Sequence, residues 1–242
     1  MFTSQGPTLR ELAVQALSSI EDGYDLLAPK FDHTPFRTPD RMLDAVADAL
    51  RGLGPFDAGL DVCCGTGAGV RTLLPLCRER VTGVDFSTGM LERARAAVVA
   101  GDGGPAVEWV RADALALPFT GAFDLAVSFG AFGHFLPAER PRLFAQVNGA
   151  LRPGGVFAFP VGAPQPMTSP LYWALLGFDG VMRVRNLLWR PPFVMYYRTF
   201  PLRGVIDDLR GAGFAVRLRP LEEFGRRADG SPHWCLVEAR KS

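Results

Sequence analysis

The fold is decided by the stretch Leu60-Asp61-Val62-Cys63-Cys64-Gly65-Thr66-Gly67-Ala68-Gly69-Val70. An apolar run leads into an acid, a glycine-rich turn follows, and a helical apolar pattern begins at Val70. This order predicts a strand, a tight turn and a helix, the opening unit of a βαβ fold. The glycines permit positive φ and let a ligand approach the backbone closely. The helix that follows offers free N–H groups and a positive dipole end to that ligand.

The spacing of these glycines distinguishes between the nucleotide-type ligands that use such a turn. Dinucleotide sites carry G-x-G-x-x-G, whereas this turn reads G-x-G-x-G and has Val70 at the third dinucleotide position. A Walker phosphate loop is excluded because no Gly-Lys-Ser/Thr follows. A dinucleotide-dependent oxidoreductase stays open as an alternative, although the sequence also lacks a Tyr-x-x-x-Lys pair.

Three further apolar segments end in residues that a cleft at the sheet edge could use. Residues 81–85 end in Asp85, which lies close to the roughly 20-residue offset of a ribose-binding acid. Residues 107–110 lead to Asp113, and the segment that starts at Phe123 leads into the loop 128–135. In an open parallel sheet the ligand crevice lies outside the carboxyl ends of the strands. We therefore expect Asp61, Asp85, Asp113 and this loop at one cleft.

Five segments of the chain occur in an order that is typical of one enzyme class: LDVCCGTGAG, VTGVDFSTGML, RADALALPF, FDLAVSFGAFGHF and LRPGGVFAF. Together they resemble the ordered motifs of class I S-adenosylmethionine-dependent methyltransferases. Within that class the chain is similar to the small-molecule branch that includes the ubiquinone/menaquinone C-methyltransferases. The resemblance covers roughly residues 40–160, and Cys63 stands where many members have a glycine. It implies a Rossmann-like, doubly wound α/β fold, with a seven-stranded, mostly parallel sheet that has one antiparallel edge strand and lies between two helical layers.

The resemblance also implies a site for S-adenosylmethionine, with S-adenosylhomocysteine as product. Gly65 and Gly67 would let the backbone lie against this donor, and Asp61 would lie near its methionine ammonium group. Asp85 would take both ribose hydroxyls in a charge-assisted contact. The other residues given a donor contact are Thr66, Phe86, Met90, Asp113, Ala114, Ser128 and Phe129.

Structural roles for some of these side chains stay open on the residues alone. Asp61 could cap the turn, Asp113 could cap a short helix, and Phe86 could belong to the core.

The composition limits the class of protein. The chain has 242 residues, of which 48% are hydrophobic, and this length suits one α/β domain. Its formal net charge of +1 argues against a dedicated nucleic-acid binder. We expect a single methyltransferase domain over 1–242, with a helical lid segment at 1–40, a cofactor-binding core at 41–161, an insertion at 162–200, and a C-terminal helix and strand pair at 201–242. It would be a monomer or a homodimer.

The cysteines and the N-terminus favour a reducing compartment. Four cysteines (63, 64, 77 and 235) show no C-x-x-C spacing, so we predict neither a metal site nor a disulfide framework. Arg10 and Glu11 interrupt the apolar pattern near the N-terminus, which argues against a cleaved leader. The expected location is the cytoplasm.

Two further helices are predicted outside the five motifs. Residues 8–28 carry apolar residues at helical spacing, and Ser87 is a plausible N-cap for a helix over 88–100.

The insertion at 162–200 is too aromatic for a disordered linker and too long to be structureless without a function. We predict that it lines an apolar acceptor pocket together with the N-terminal segment, through Tyr24, Trp173, Trp189, Tyr196 and Tyr197. A helix pair that closes the core and a dimer contact are the open alternatives. A membrane span is not expected, because charged residues interrupt the apolar run between 171 and 189.

A catalytic base is less strongly indicated than the donor site. Methyl transfer to oxygen or nitrogen often needs a base, and histidine titrates in the required range. His134 follows the fourth strand at the expected cleft, and His33 lies in the N-terminal segment; each could instead be structural. A base in the protein is unnecessary if the acceptor loses its proton to water.

The sequence thus predicts methyl transfer from S-adenosylmethionine to a small, partly apolar molecule at oxygen or carbon. No basic track indicates nucleic acid, and no Asn/Asp-Pro-Pro-aromatic motif follows the fourth strand, as it does in enzymes that methylate exocyclic amines. The remaining alternative is a protein that binds the donor without catalysis. Nicotinamide binding or acceptor turnover would distinguish these hypotheses.

Overall fold

A central β-sheet organises the chain in its computed structural model, which describes residues 6–34, 36–99, 101–196 and 201–242. The strands are β1 (Phe56–Val62), β2 (Cys77–Asp85), β3 (Ala106–Arg111), β4 (Phe123–Val127), β5 (Leu151–Gly162), β6 (Phe214–Pro220) and β7 (Trp234–Lys241). Their order is β3-β2-β1-β4-β5-β7-β6. β1 to β5 pair in parallel, and β7 runs antiparallel to both of its neighbours. The predicted fold class is confirmed, and the antiparallel strand lies second from the edge because β7 returns between β5 and β6.

Helices cover both faces of this sheet. They are α1 (Leu9–Leu17), α2 (Ile20–Leu27), α3 (Asp40–Arg51), α4 (Ala68–Leu73), α5 (Thr88–Ala97), α6 (Arg140–Ala150), α7 (Pro170–Leu188) and α8 (Leu202–Gly211). One core cluster packs α6 and α8 against the sheet. The opposite cluster packs α3, α4 and α5 against it. The central strands are therefore buried on both faces, which is why their sequences are nearly continuous apolar runs.

The strand order reverses between β1 and β4, and this places the ligand crevice. β2 and β3 follow β1 on one side, whereas β4 and β5 lie on the other. A crevice opens outside the carboxyl ends of the strands at such a switch point. Asp61 near the end of β1 and Asp85 at the end of β2 therefore lie beside it.

The N-terminal segment forms two helices where the apolar spacing suggested a continuous helical pattern. Ser18 is extended, and the Ser19 hydroxyl accepts a hydrogen bond from the Asp22 N–H at 3.0 Å, so that it caps α2. A serine in this position competes with the helical backbone and starts a new helix. The break turns α2 toward α5, and a 3-10 helix at Ala28–His33 continues the segment.

The insertion between β5 and α8 contains one long helix, α7. Of its residues with described side chains, only Asp179 and Met182 are buried. Among the described residues, no helix is both long and apolar enough to cross a bilayer. Met182 packs with Phe193 and Tyr196 in a small third cluster that also touches α2.

Candidate donor and acceptor site

A cavity of about 920 Å³ lies outside the carboxyl ends of β1, β2 and β4. Its lining comes from the strand-end loops, from the N-terminal segment, from Leu175 of α7 and from Met195. This volume is near the upper end of the range for small-molecule sites. Most of the predicted donor residues line it: Asp61, Gly65, Thr66, Asp85, Phe86, Met90, Asp113, Ala114 and Phe129.

Asp61 is the most unusual group in this cavity. Its side chain is 1% exposed, yet neither carboxyl oxygen has a hydrogen-bond partner among the described residues. Burial raises the pKa of Asp61 well above its ordinary value, the Asp85 carboxylate adds to this, and the nearby Val70 N–H offsets it only partly. A Cβ atom at Gly69 would collide with this carboxylate, so glycine is required at that position. A buried, unpartnered acid is costly unless a ligand donor completes it.

Asp85 is held by the backbone of the glycine-rich turn. Its Oδ2 accepts the Gly65 N–H at 2.9 Å and its Oδ1 accepts the Ser87 N–H at 3.0 Å. Burial raises the pKa of Asp85, and these N–H donors offset part of that rise. Each carboxylate oxygen can accept a further hydrogen bond. The group therefore remains able to receive two ligand hydroxyls.

The glycines of the turn have different functions. Gly65 has a φ of +50°, and a Cβ there would meet no heavy atom within 4 Å. Gly67 has a φ of +85°, but a Cβ there would lie 2.8 Å from a Val98 methyl group. Gly65 therefore leaves room for a ligand, whereas Gly67 lets α4 begin against the helical layer and does not line the cavity.

Cys63, in the same turn, has a φ of +60°, a left-handed conformation that glycine adopts freely. For a residue with a Cβ this costs about 1–2 kcal/mol.

Asp113 caps a short helix, which was one of the alternatives left open by the sequence. Its Oδ1 accepts the Leu115 N–H at 2.8 Å at the start of the 3-10 helix Ala114–Ala116. The residue also lines the cavity, beside Ala114. The capping role leaves the second carboxyl oxygen available, so the structural and ligand roles are compatible. Phe86 and Met90 line the same cavity.

The N-terminal segment is fixed over the cavity by polar contacts. Asp25 Oδ1 accepts the Ser87 hydroxyl at 2.5 Å and the Gly89 N–H at 2.9 Å, which adds a second acceptor at the start of α5. Ser87 itself caps α5 through the Met90 N–H, as the sequence predicted. The Thr66 hydroxyl donates to Asp32 at 2.7 Å. These contacts join the segment directly to the strand-end loops.

His134 and Tyr24 form a hydrogen-bonded pair that lines the cavity. Tyr24 Oη and His134 Nε2 are 2.6 Å apart, and His134 Nδ1 lies 2.7 Å from the Val194 carbonyl oxygen. Because that carbonyl can only accept, Nδ1 carries the proton and Nε2 presents a lone pair to the phenol. Burial lowers the pKa of His134, which favours the neutral imidazole.

Four of the residues predicted for the acceptor site or for catalysis do not line the cavity. His33 is exposed, and Trp173 and Trp189 are 57% and 52% exposed. Tyr196 is buried in the third cluster, where its hydroxyl accepts from Asn186 at 2.9 Å. Tyr197 lies outside the described residues.

Ser128, predicted to contact the donor, is buried behind the wall and donates its hydroxyl to the Val62 carbonyl at 2.8 Å. No group of three or more His, Cys, Asp or Glu within the described ranges is arranged to hold a metal ion.

The sequence pattern did not indicate one part of the cavity lining, an apolar wall. It is formed by Phe31, Phe36, Leu175 and Met195. The first two lie in the predicted lid segment and the last two in the predicted insertion, so the correct segments were singled out but not these residues. Trp173 and Trp189 were predicted for the acceptor site because they are large and aromatic. The position of a residue around the helix, which the composition does not give, decides instead which side chains face the cavity.

Comparison with known proteins identifies the class of domain. Residues 60–155 match a protein family described as a methyltransferase domain. A 2-phytyl-1,4-naphtoquinone methyltransferase from a Nostoc species is 31% identical over 139 residues, which cover 54% of this chain and 58% of that protein. The chain spans about half of the length of the curated relatives that it matches.

Solved structures agree on the fold. An S-adenosylmethionine-dependent methyltransferase from Mesorhizobium loti is 26% identical, with a TM-score of 0.56 over 82% of this chain and 100% of that one. The [4+2]-cyclase SpnF has a TM-score of 0.62 at 16% identity, over 92% of this chain and 94% of that one, and shows the fold alone. Residues 60–155 are therefore similar to the methyltransferase domain family, and the chain shares the fold of an S-adenosylmethionine-dependent methyltransferase.

Proposed function

We propose that the chain transfers a methyl group from S-adenosylmethionine to a small, partly apolar acceptor. The observation that carries this proposal is a cavity whose lining combines the unpartnered Asp61 carboxylate with an apolar wall. The first feature suits a cationic, polar donor. The second suits an acceptor with an apolar body.

Asp61 and Asp85 would hold the polar parts of the donor. The donor's ammonium group would supply the hydrogen bonds that Asp61 lacks, and this pairing would favour the charged carboxylate. Asp85 would accept from the two ribose hydroxyls, while Phe86 and Met90 would pack against the adenine ring. When bound, the donor supplies a methyl group on a positively charged sulfur, which is already a strong electrophile. The protein then has mainly to align donor and acceptor.

The apolar wall indicates the class of acceptor. Phe31, Phe36, Leu175 and Met195 offer apolar and aromatic contacts but no charge. Curated relatives are named for a naphthoquinone with a phytyl chain. We propose a reduced quinone or a similar aromatic molecule with a hydroxyl group, methylated at oxygen or at ring carbon.

The Tyr24–His134 pair would remove the acceptor proton. The Tyr24 phenol would pass its proton to His134 Nε2, with which it is already hydrogen-bonded, and would regain one from the acceptor hydroxyl. The acceptor's electron pair forms the new bond to the methyl carbon as the carbon–sulfur bond breaks, and sulfur keeps that bond's electrons. Among the described residues that line the cavity, His134 is the one histidine. The imidazolium returns its proton to solvent.

The free cysteines are compatible with action in the cytoplasm, which forms part of the proposal together with a monomeric or homodimeric state. All four thiols are unpaired. This is the usual condition in a reducing compartment.

The test is methyl transfer from labelled donor to reduced naphthoquinones with and without an apolar tail. Wild type should label them, and Tyr24→Phe and His134→Gln should lower kcat about a hundredfold, the usual contribution of a general base. His233→Gln is the matched control, because His233 does not line the cavity. Equal turnover by His134→Gln and wild type would remove the base from the proposal. Binding of the donor product without labelling of any such acceptor would contradict the acceptor class.

A further inference from the structure

The outward side of α7 is an apolar surface that the rest of the described chain leaves uncovered. Leu187 and Leu188 are each 80% exposed, Val181 is 68% exposed and Val184 is 56% exposed. These residues share one side of a helix with 3.6 residues per turn. We call this side the α7 outer face. The chain buries most of its large apolar side chains but leaves this face in water. A contiguous exposed apolar surface of this kind indicates an interaction site.

The charges that α7 itself carries at the border of its outer face are of one sign. Asp179 is the only acid in the sequence of the helix, and it is buried on the inward side. Arg183 borders the outer face and is exposed, and Arg190 is exposed just beyond the end of the helix. The face thus combines an apolar centre with a cationic border, which matches an anionic surface that has an apolar interior.

Tryptophans lie near both ends of α7. Trp173 lies in the first turn and its ring nitrogen donates to the Met167 carbonyl, while Trp189 follows the last turn. Both side chains are more than half exposed. Tryptophan favours the boundary between lipid chains and water, because its ring is apolar and its N–H is polar.

We propose that the α7 outer face binds an anionic lipid surface, with the helix lying flat in the headgroup region. An amphipathic helix with leucine and tryptophan on one side and arginine at its border has this behaviour. Buried Asp179 faces away from the lipid, so the helix lies on the membrane and does not cross it. A second copy of the chain fits this face less well. A two-fold interface places the same surface on both partners, and here it would bring arginine borders together without an acid of α7 to neutralise them.

The position of α7 connects the lipid contact with the acceptor cavity. Leu175, on the inward side of the same helix, lines the acceptor cavity. A bilayer against the outer face would therefore lie one helix away from the cavity. An apolar acceptor dissolved in lipid could enter without crossing water.

The test is sedimentation of the purified full chain with vesicles, without donor or acceptor, so that its result does not depend on the proposed reaction. One set of vesicles contains phosphatidylcholine alone, and the other contains equal parts of phosphatidylcholine and phosphatidylglycerol. Wild type should sediment with the anionic vesicles and should bind them less as salt is raised, because basic residues near the surface contribute to the attraction.

The variant that tests the surface is Val184→Glu/Leu188→Glu, which places two acids in the centre of the outer face. We expect it to lower the affinity for anionic vesicles at least about tenfold, because apolar burial drives this binding. The matched control is Ala97→Glu/Val99→Glu, which adds the same charge at two exposed positions at the end of α5 and just beyond it. Both variants change exposed side chains, and thermal melting checks that they fold.

Any of four results would overturn the proposal. The first is wild type that stays in the supernatant with anionic vesicles at low salt, and the second is an equal loss of binding in both double variants. The third is retained vesicle binding by Val184→Glu/Leu188→Glu, which would place the lipid contact elsewhere. The fourth is a wild-type dimer, seen by light scattering, that the same variant converts to a monomer; it would assign the face to a second copy of the chain.

Discussion

At the residue scale, the acids of the cavity differ in the hydrogen bonds that they already accept from the protein. Asp85 accepts two backbone N–H groups, and Asp113 accepts one. Asp61 has no partner with hydrogen-bond geometry among the described residues, although it is the most buried of the three. Asp61 is therefore the acid whose protonation a cationic ligand should change most.

Binding of S-adenosylhomocysteine should release a proton from Asp61. Burial raises the pKa of this carboxyl, so it keeps its proton to a higher pH than a solvated aspartate does, and an ammonium group would displace that proton by lowering the pKa. Calorimetric titrations in two buffers of different ionisation enthalpy should give different apparent enthalpies. The difference should disappear in Asp61→Asn, and identical enthalpies for wild type in both buffers would contradict the assignment.

The sequence predicted the acids of the cavity better than the pairing of Tyr24 with His134. Asp61, Asp85 and Asp113 follow strand patterns, so their meeting at one sheet edge can be deduced from order along the chain. Tyr24 and His134 are 110 positions apart and belong to different elements. Their contact depends on how the N-terminal segment turns after α1, which no periodic pattern specifies.

At the scale of elements, the N-terminal segment is attached to the core by side chains that cap another element. Asp25 in α2 accepts from Ser87 and Gly89 at the start of α5. A Cβ atom at Gly89 would lie 3.2 Å from the Asp25 backbone, so the two helices meet closely. α2 also supplies Tyr24 to the cavity wall, and therefore this attachment positions part of the site.

Asp25→Ala should loosen the N-terminal segment without unfolding the core. The substitution removes two hydrogen bonds to a charged acceptor, each of which contributes about 1.5–3 kcal/mol. Ser87 still caps α5 in this variant. We expect faster amide hydrogen exchange over residues 20–33 and about tenfold weaker binding of S-adenosylhomocysteine, a change of about 1.4 kcal/mol.

Asp102→Ala provides the control for this experiment, since Asp102 is exposed in the loop after α5. Unchanged exchange over residues 20–33 in Asp25→Ala would show that other contacts hold the segment. Faster exchange throughout the central strands would instead mean that Asp25 stabilises the whole fold.

Elements buried on both faces were the easiest to predict from sequence. β1, β4 and the second half of β2 are mostly apolar because both faces of the sheet are covered there. The break between α1 and α2 was not predicted, since one serine cap ends an otherwise helical pattern. The long helix α7 was not predicted either: its outer face is as apolar as a core, so composition alone indicated a lid without showing which side faces inward.

At the scale of the whole molecule, the strand order brings the donor residues and the lid segments to one end of the sheet. The reversal of order between β1 and β4 creates the crevice, and two separate core clusters hold the sheet rigid beneath it. The fold could be predicted because five motifs occur in family order. The reaction cannot be deduced from the fold, since a [4+2]-cyclase shares it.

The donor site that we propose in this crevice depends on Asp85 and the glycine-rich turn. Its most direct test is calorimetric titration of S-adenosylhomocysteine into wild type and into Asp85→Asn, with Asp102→Asn as the control. Asparagine keeps the size of the side chain but removes the charge that receives the ribose hydroxyls.

We expect wild type and Asp102→Asn to bind, and Asp85→Asn to bind at least about tenfold more weakly, a loss of about 1.4 kcal/mol. Absence of binding to folded wild type, or equal affinity in Asp85→Asn, would contradict the donor site.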